Sequence, residues 1–419
     1  MTIVGLDDTD SRERGMCTTY AAVQVADALR WEGATIDRLL LVRLNPAVKH
    51  KTRGNAALAI HTDASPETAL AAATEVVEGL AEVADERTSP GVVVAPGEPP
   101  GEVVAFSRDA FRTIHDLATA ERLIDRSDFR QAGWKEGRGR IGALAAVGAA
   151  EAVEDWTYEY IAYREPDRWG TPRSVDEKTV FEAADTYYPR AWDTVDRGEG
   201  EAVCVPNAPG PILYGIRGDD PYATAAVAAG IDSEPVYARA LFETNQGTDA
   251  HIAPASIETV TENRAYRLTG TVAESAETGQ GGHVFLTIED GGERLRCAAF
   301  EPTKRFRDRV RALRAGDRIT VAGEITDGTL KLEKFAVRDL VRTERRTPAC
   351  PDCGNRMESA GADQGYRCRD CGTTAPTKAT VEIERDLELG WYEVPPCARR
   401  HIAKPLVRGG FDAPVHAER

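Results

Sequence analysis

Two Cys-x-x-Cys pairs, Cys350-Pro-Asp-Cys353 and Cys368-Arg-Asp-Cys371, stand fourteen residues apart near the C-terminal end of a 419-residue chain. No other stretch restricts its own folding so tightly. Four thiolates at this spacing close a tetrahedral structural zinc site and leave no open position for catalysis. Gly354 and Gly372 follow the second Cys of each pair. A left-handed backbone there lets amide N–H groups approach sulfur. So short a ribbon has little core, and zinc supplies its folding free energy. Two redox pairs are the alternative reading. The other four cysteines are scattered, and Met1 leads into a strand pattern rather than a signal peptide. The set therefore points to metal binding in a cytoplasmic protein, not to disulfides. The longest small-apolar run, 141–150, is too short to span a membrane.

The texture just upstream is all-β. Strands are predicted at 265–273, 283–289 and 293–300. A basic helix, "EPTKRFRDRVRALR", follows, and then two more strands, "DRITVAGEI" and "LKLEKFAV". Three strands, a helix and two strands make a five-stranded OB-fold barrel, a common grip for single-stranded nucleic acid. The net charge of -16 argues against phosphate binding in general. Only nine of the 52 Lys and Arg residues are Lys, however, and an acid-rich, Arg-rich surface suits a salt-adapted cytoplasm. Local patches are then what count. Lys304, Arg305, Arg307, Arg309, Arg311 and Arg314 line the basic helix, either as an RNA contact or as a solvated face. The tail carries Arg399, Arg400, His401, Lys404 and Arg408, and reads as a basic arm or a frayed end.

Residues 1–260 show the strand–helix–strand–strand–helix–strand order of ferredoxin-like folds twice. The first run has strands at 2–6, 37–44, 56–61 and 91–94, with helices at 18–31 and 66–83. A helix at 109–126 leads to "GRGRIG" (137–142), which no strand is expected to precede. That makes a dinucleotide fingerprint a weak reading. The second run has strands at 156–164, 201–206, 211–217 and 235–244, with helices at 175–188 and 220–230. A polar linker covers 245–260.

The first strand ends in "GLDDTDSRERGMCTTY". Asp7, Asp8 and Asp10 at a strand's C-terminal end face the mouth of a site, and magnesium takes one or two carboxylates plus phosphate oxygens and water. A solvated turn is the plainer alternative. Thr18 and Thr19 open a predicted helix whose N-terminus favours phosphate; Thr18 is either a cap or an acceptor. Lys51 and Arg53 in "HKTRGN" suit phosphate oxygens, or simply form a basic loop. A haloacid-type phosphatase pattern fails at Arg12, and no Walker A motif occurs.

The succession "GLDDTDSRERGMCTTY", "RLNPAVKHKTRGN", "GRGRIGALAAVGA", "LYGIRGDDP", barrel and four-Cys ribbon resembles the archaeal tRNA-isoleucine 2-agmatinylcytidine synthetases, the TiaS family. The resemblance covers essentially the whole chain. It implies a multidomain α+β protein: an ATP-dependent kinase-like domain over 1–130 and a ferredoxin-like domain with the agmatine site over 131–258. An OB-fold over 262–342, a zinc ribbon over 346–376 and a basic tail over 377–419 follow. The implied reaction joins agmatine to C2 of the wobble cytidine of CAU-anticodon tRNA-isoleucine, with ATP cleaved to AMP, so that the tRNA reads AUA. By the resemblance, Asp7, Asp8 and Asp10 serve magnesium and ATP, and Thr18 is autophosphorylated. Lys51, Arg53, Gly54, Asn55, Gly137 and Gly139 contact the nucleotide. Tyr214, Gly218, Asp219 and Asp220 are the expected agmatine residues. No protein partner is implied. The rival readings are a non-catalytic OB-fold and zinc-ribbon RNA-binding protein, and a magnesium-dependent phosphatase or nuclease.

Overall fold

A computed structural model describes residues 1–49, 51 and 54–419. The chain opens with β1 (Thr2–Asp7), α1 (Thr18–Trp31), β2 (Ile36–Arg43), β3 (Ala56–Thr62), α2 (Pro66–Leu80) and β4 (Gly91–Ala95). Then come α3 (Gly101–Ala110), α4 (Leu117–Arg126), β5 (Arg130–Gly133), α5 (Arg140–Val147) and α6 (Ala149–Ala152). β1 is buried on both faces. Its alternation sends Val4 and Leu6 into a core shared with α1 and α2, and Ile3 into a second core beneath α3 to α6. Gly5 is required at the strand's centre, because a Cβ there would stand 2.1 Å from the Ala143 carbonyl oxygen. Its lack of a side chain lets α5 lie directly on the sheet.

The second run comprises β6 (Thr157–Arg164), α7 (Glu177–Tyr187), β7 (Ala191–Trp192), β8 (Ile212–Gly218), α8 (Pro221–Ala229) and β9 (Val236–Thr244). β2 and β9 pair in parallel, Leu40 with Glu243 and Leu41 with Thr244. The two runs therefore share one nine-stranded sheet, ordered β5-β4-β1-β3-β2-β9-β6-β8-β7.

β10 (Ile252–Pro254) leads into a closed barrel of β11 (Arg264–Thr278), β12 (Val284–Asp290), β13 (Glu293–Ala299), β14 (Arg318–Thr326) and β15 (Thr329–Asp339). β14 closes it by pairing with both β11 and β15. α9 (Phe306–Arg311) lies between β13 and β14 and buries Phe306 and Val310 in the barrel core. β16 (Thr343–Arg346) and β20 (Ala379–Glu382) form a two-stranded stalk. The stalk carries a small sheet of β17 (Glu358–Ser359), β18 (Tyr366–Arg367) and β19 (Thr374–Ala375). The chain returns as β21 (Gly390–Glu393), which adds to β15, and ends near β22 (Val415–His416).

Several expectations need correction. The helix predicted at 109–126 is two helices, because Asp116 accepts a hydrogen bond from the Thr119 N–H and starts a new one. A strand does precede "GRGRIG": β5 pairs with β4. Residues 201–206 form turns rather than a strand; the Cys204 N–H is spent on the Thr194 carbonyl, and the short β7 takes the sheet edge. The linker is exposed only in its second half: Asn245, Gln246 and His251 are buried, and the Asn245 amide brackets the Arg43 backbone through both its oxygen and its nitrogen. The tail is neither frayed nor free. Leu387, Tyr392 and Val394 complete the barrel core, Arg400 pairs with the buried Glu324 and Glu333, and Arg408 pairs with the exposed Asp155 and Asp219. Likewise Arg305 of the basic helix is a fastener, reaching Asp196 at 2.9 Å and Glu418 at 2.6 Å.

Candidate active site

β1 ends at Asp7, and the chain turns at once through Asp8, held at φ 63°. That left-handed residue turns its own N–H onto the Asp7 carboxylate. Asp7 Oδ1 accepts from the Asp8 N–H at 2.7 Å. Asp8 Oδ2 accepts from the Ser89 N–H at 3.0 Å and from Arg138 at 3.3 Å. Burial, the Asp8 charge and the Asp10 charge hold the Asp7 carboxyl well above the ordinary range. Burial pushes Asp8 up to about 6, opposed by Arg138 and the Ser89 N–H. Two crowded buried carboxylates with so few donors fit a divalent cation, which would relieve both the burial cost and their mutual repulsion.

The glycines of "GRGRIG" make this corner possible. A Cβ on Gly139 would lie 2.5 Å from the Gly91 nitrogen and 2.6 Å from the Asp7 carbonyl oxygen. A Cβ on Gly142 would lie 2.0 Å from Asp7 Oδ2. The start of α5 thus sits against the ends of β1 and β4. Gly137 takes φ +65° in the preceding turn and stays outside the cleft. The intervening Arg138 enters it, a residue the glycine pattern alone did not single out.

Asp7, Asp8, Asp10, Lys51, Gly54, Asn55, Arg138 and Gly139 line one cleft of about 860 Å³, including its open mouth. Arg53 lies outside the described residues. Lys51 donates to the Pro46 carbonyl, and burial lowers its pKa. Asn55 donates to the Asn45 carbonyl at 2.9 Å.

A second cavity adjoins the first and shares Asp10, Gly54 and Ala56 with it. Thr18 and Thr19 form one wall; Glu159, Asp193 and Arg217 from the second run face them. Thr18 is the first residue of α1 but caps nothing: the helix has no side-chain cap and no acid in its first turn. Its hydroxyl instead accepts from Thr9 at 3.1 Å in a buried contact. An uncapped helix N-terminus beside a hydroxyl suits a phosphate. Glu159, only 5% exposed, lies between Arg43 at 3.6 Å and Arg217 at 3.5 Å, and among the described residues its Oε2 has no hydrogen-bond partner.

The expected agmatine residues are elsewhere. The Tyr214 hydroxyl is buried against the Ala228 carbonyl. Asp219 pairs with Arg408 at 2.6 Å and accepts from the Trp192 ring N–H at 3.1 Å. Asp220 caps α8, and a Cβ on Gly218 would strike the Arg190 carbonyl. None of the four lines either cavity.

Cys350, Cys353, Cys368 and Cys371 bring their sulfurs within 4.8 Å of one another, as a tetrahedral zinc site requires. Gly354 and Gly372 adopt φ +75° and +72°, the expected knuckle geometry. The ribbon's own core is little more than Met357, Tyr366 and Ala375. Chelation is therefore expected to strip amide protection from residues 347–376 while the barrel keeps its cooperative unfolding transition. Hydrogen exchange with and without chelator measures this; a ribbon still protected without metal would show that its core suffices.

Family models match 3–136 as the TiaS TCKD domain, 137–251 as the TiaS FLD domain and 347–387 as the TiaS C-terminal zinc ribbon domain. The isoleucine-tRNA 2-agmatinylcytidine synthetase TiaS of Haloquadratum walsbyi is 54% identical over the full length of both chains. The chain belongs to the TiaS family. The TiaS of Methanosarcina mazei is 46% identical over 97% of each chain. Among solved structures, a complex of TiaS with isoleucine tRNA and ATP superposes with a TM-score of 0.92 at 41% identity, covering all of this chain and 99% of that one. A complex of TiaS with isoleucine tRNA, AMPCPP and agmatine gives 0.89 at 38% identity over the same shares. The TiaS domain boundary at 136/137 divides β5 from α5, yet α5 packs on β1 and β4, so the second TiaS domain contributes Gly139 and Gly142 to the first domain's acidic corner. No helix among the described residues is long and apolar enough to cross a membrane.

Proposed function

We propose that this TiaS-family ligase joins agmatine to C2 of the wobble cytidine of a CAU-anticodon tRNA-isoleucine, in the cytoplasm, with ATP cleaved to AMP. The observation that carries the reading is the pair of adjoining cavities, one acidic and walled by the β1 elbow, the other opening on Thr18. Neither has a use in a non-catalytic RNA-binding protein, and the second run's share of the walls has none in a simple phosphatase.

In this reading Asp7 and Asp8 would hold magnesium, which would supply positive charge to the phosphates. Arg138 fixes Asp8, Lys51 and the Asn55 loop border the nucleotide, and Thr18 accepts a phosphoryl group at the α1 N-terminus. The cytosine leaves its stack to reach the shared wall at Asp10 and Gly54. ATP gives up one phosphoryl group to the C2 oxygen and a second to Thr18, which leaves AMP, and water then releases phosphate from Thr18 for the next turnover. The amine nitrogen attacks C2, the C2–O bond breaks, phosphate departs with that oxygen, and a proton passes to a carboxylate. Asp10, Glu159 and Asp193 outnumber Arg43 and Arg217 around the second cavity, which supports reading it, in place of Asp219 and Asp220, as the pocket for a slender dication. A relative whose ribbon was deleted has been solved with agmatine, which agrees with an amine pocket outside the ribbon.

Mass analysis of the wobble nucleoside after incubation with ATP, agmatine and CAU-anticodon tRNA tests the function. Cytidine should gain agmatine less one water, and only with ATP; unmodified cytidine on bound tRNA would refute it. Glu159→Gln should raise the agmatine KM about tenfold with little change in the ATP requirement, since one charged contact is removed. Asp219→Asn should leave that KM unchanged.

A further inference from the structure

The wall of the second cavity that carries Asp193, Val203, Cys204 and Pro206 is a loop between β7 and β8. That loop is gripped from the other end of the chain. Arg399, beyond the ribbon, pairs with Asp193, and both side chains are 4% exposed. The same guanidinium meets Glu393 Oε1 at 2.8 Å and the Val394 carbonyl at 3.1 Å. Three residues on, Asp196 accepts from the Cys397 N–H at 3.2 Å and from Arg305 at 2.9 Å. The Arg197 N–H donates to the Arg419 carbonyl at 3.0 Å.

Asp193 itself is held at φ 54°, a backbone state its neighbours must enforce. Arg399 engages Oδ1, and Asp193 also lines the second cavity, where Arg217 is its other cationic neighbour. A buried carboxylate with no fixed cation on its far side would take up a proton or turn outward, and would then bind an ammonium or guanidinium poorly. Arg399, fixed in turn by Glu393 and Val394, keeps the charge in place and aimed.

We propose that Arg399 is a positioning residue for the amine site: it holds Asp193 in the second cavity, so that the pocket is complete only when the segment after the ribbon is docked. This rests on the reading of that cavity as the agmatine pocket. The barrel and tail then act as part of the catalytic body as well as a grip for RNA.

The test is steady-state kinetics on the full-length protein with zinc bound, varying agmatine at saturating ATP and tRNA. The variants are Arg399→Met, Arg399→Lys, Asp193→Asn and the double variant Arg399→Met/Glu393→Gln, which leaves one fewer unpaired buried acid. The agmatine KM should rise about 10- to 100-fold in Arg399→Met, in Asp193→Asn and in the double variant, the range expected for losing a hydrogen bond to a charged group. tRNA affinity and the ATP KM should stay put, and Arg399→Lys should recover part of the loss. If Asp193→Asn raises the agmatine KM but the double variant, folded by its thermal transition, does not, Arg399 is only a structural fastener and the inference fails. If Asp193→Asn itself leaves the agmatine KM unchanged, the pocket reading fails first.

Discussion

Asp8→Asn is expected to lower ATP-dependent tRNA modification by about a thousandfold or more, the scale on which phosphoryl transfer depends on metal and cation placement. The amide keeps the shape and can still accept from Ser89 and Arg138, so tRNA retention should be unchanged. Parallel filter binding and turnover assays decide it, and equal loss of both would indicate misfolding instead. The metal-free protein should respond in the opposite sense. The Asp8 carboxyl is pushed up to about 6 by burial, so the folded state favours the protonated form. Between the ordinary carboxylate pKa and about 6 the native protein binds more protons than the unfolded chain, and its stability falls as pH rises through that window. Asn cannot ionise. In chelator, Asp8→Asn should therefore melt higher than the parent above pH 6, with the gap closing as pH falls toward 4. Identical melting at all pH values would mean that the elbow carries no buried charge.

Gly142→Ala should be nearly as damaging to turnover, from a residue with no functional group. Its Cβ would stand 2.0 Å from Asp7 Oδ2 and 2.7 Å from the carboxyl carbon. Either Asp7 swings away or α5 lifts from the sheet. Misplacing a reacting group by about an ångström costs on the order of a hundredfold in rate. Overpacking costs about 1–3 kcal/mol of stability. Gly5→Ala is the instructive companion. Its Cβ would meet the Ala143 carbonyl, a backbone atom that cannot rotate aside. It should therefore lose more stability, measured by chemical denaturation, than Gly142→Ala. A Gly142→Ala enzyme with parental turnover would show that α5 does not shape the acidic corner.

What was legible in the sequence was local. β1 and α1 carry their periods plainly, the barrel order survives as strand spacing, and the cysteine spacing alone specifies the ribbon. The acidic elbow was visible because three aspartates at a strand end have few other uses. Its partners were not. Arg138 meets Asp8, and Glu159 meets Arg43 and Arg217, only because β4, β5, β2 and β9 fall in one sheet, and no window of sequence encodes that order. Asp219 and Asp220 show the ambiguity of such signals: an acidic pair after a strand reads as a cation site, and in the fold Asp220 caps α8 while Asp219 pairs with Arg408. The tail was misjudged on its charges. Trp391, Tyr392 and Leu406 offered the opposite signal, an apolar face, and the arginines among them pair with acids far away in the chain.

The central claim is that the elbow at Asp7 and Asp8 holds a metal-bound triphosphate whose transferred phosphate points toward Thr18. A crystal structure of this protein with magnesium and a non-hydrolysable ATP analogue tests it most directly. The account predicts metal density within coordination distance of both carboxylates and the phosphate chain crossing the shared wall at Asp10 and Gly54. Nucleotide bound with its phosphates elsewhere, and bare carboxylates at the elbow, would contradict it.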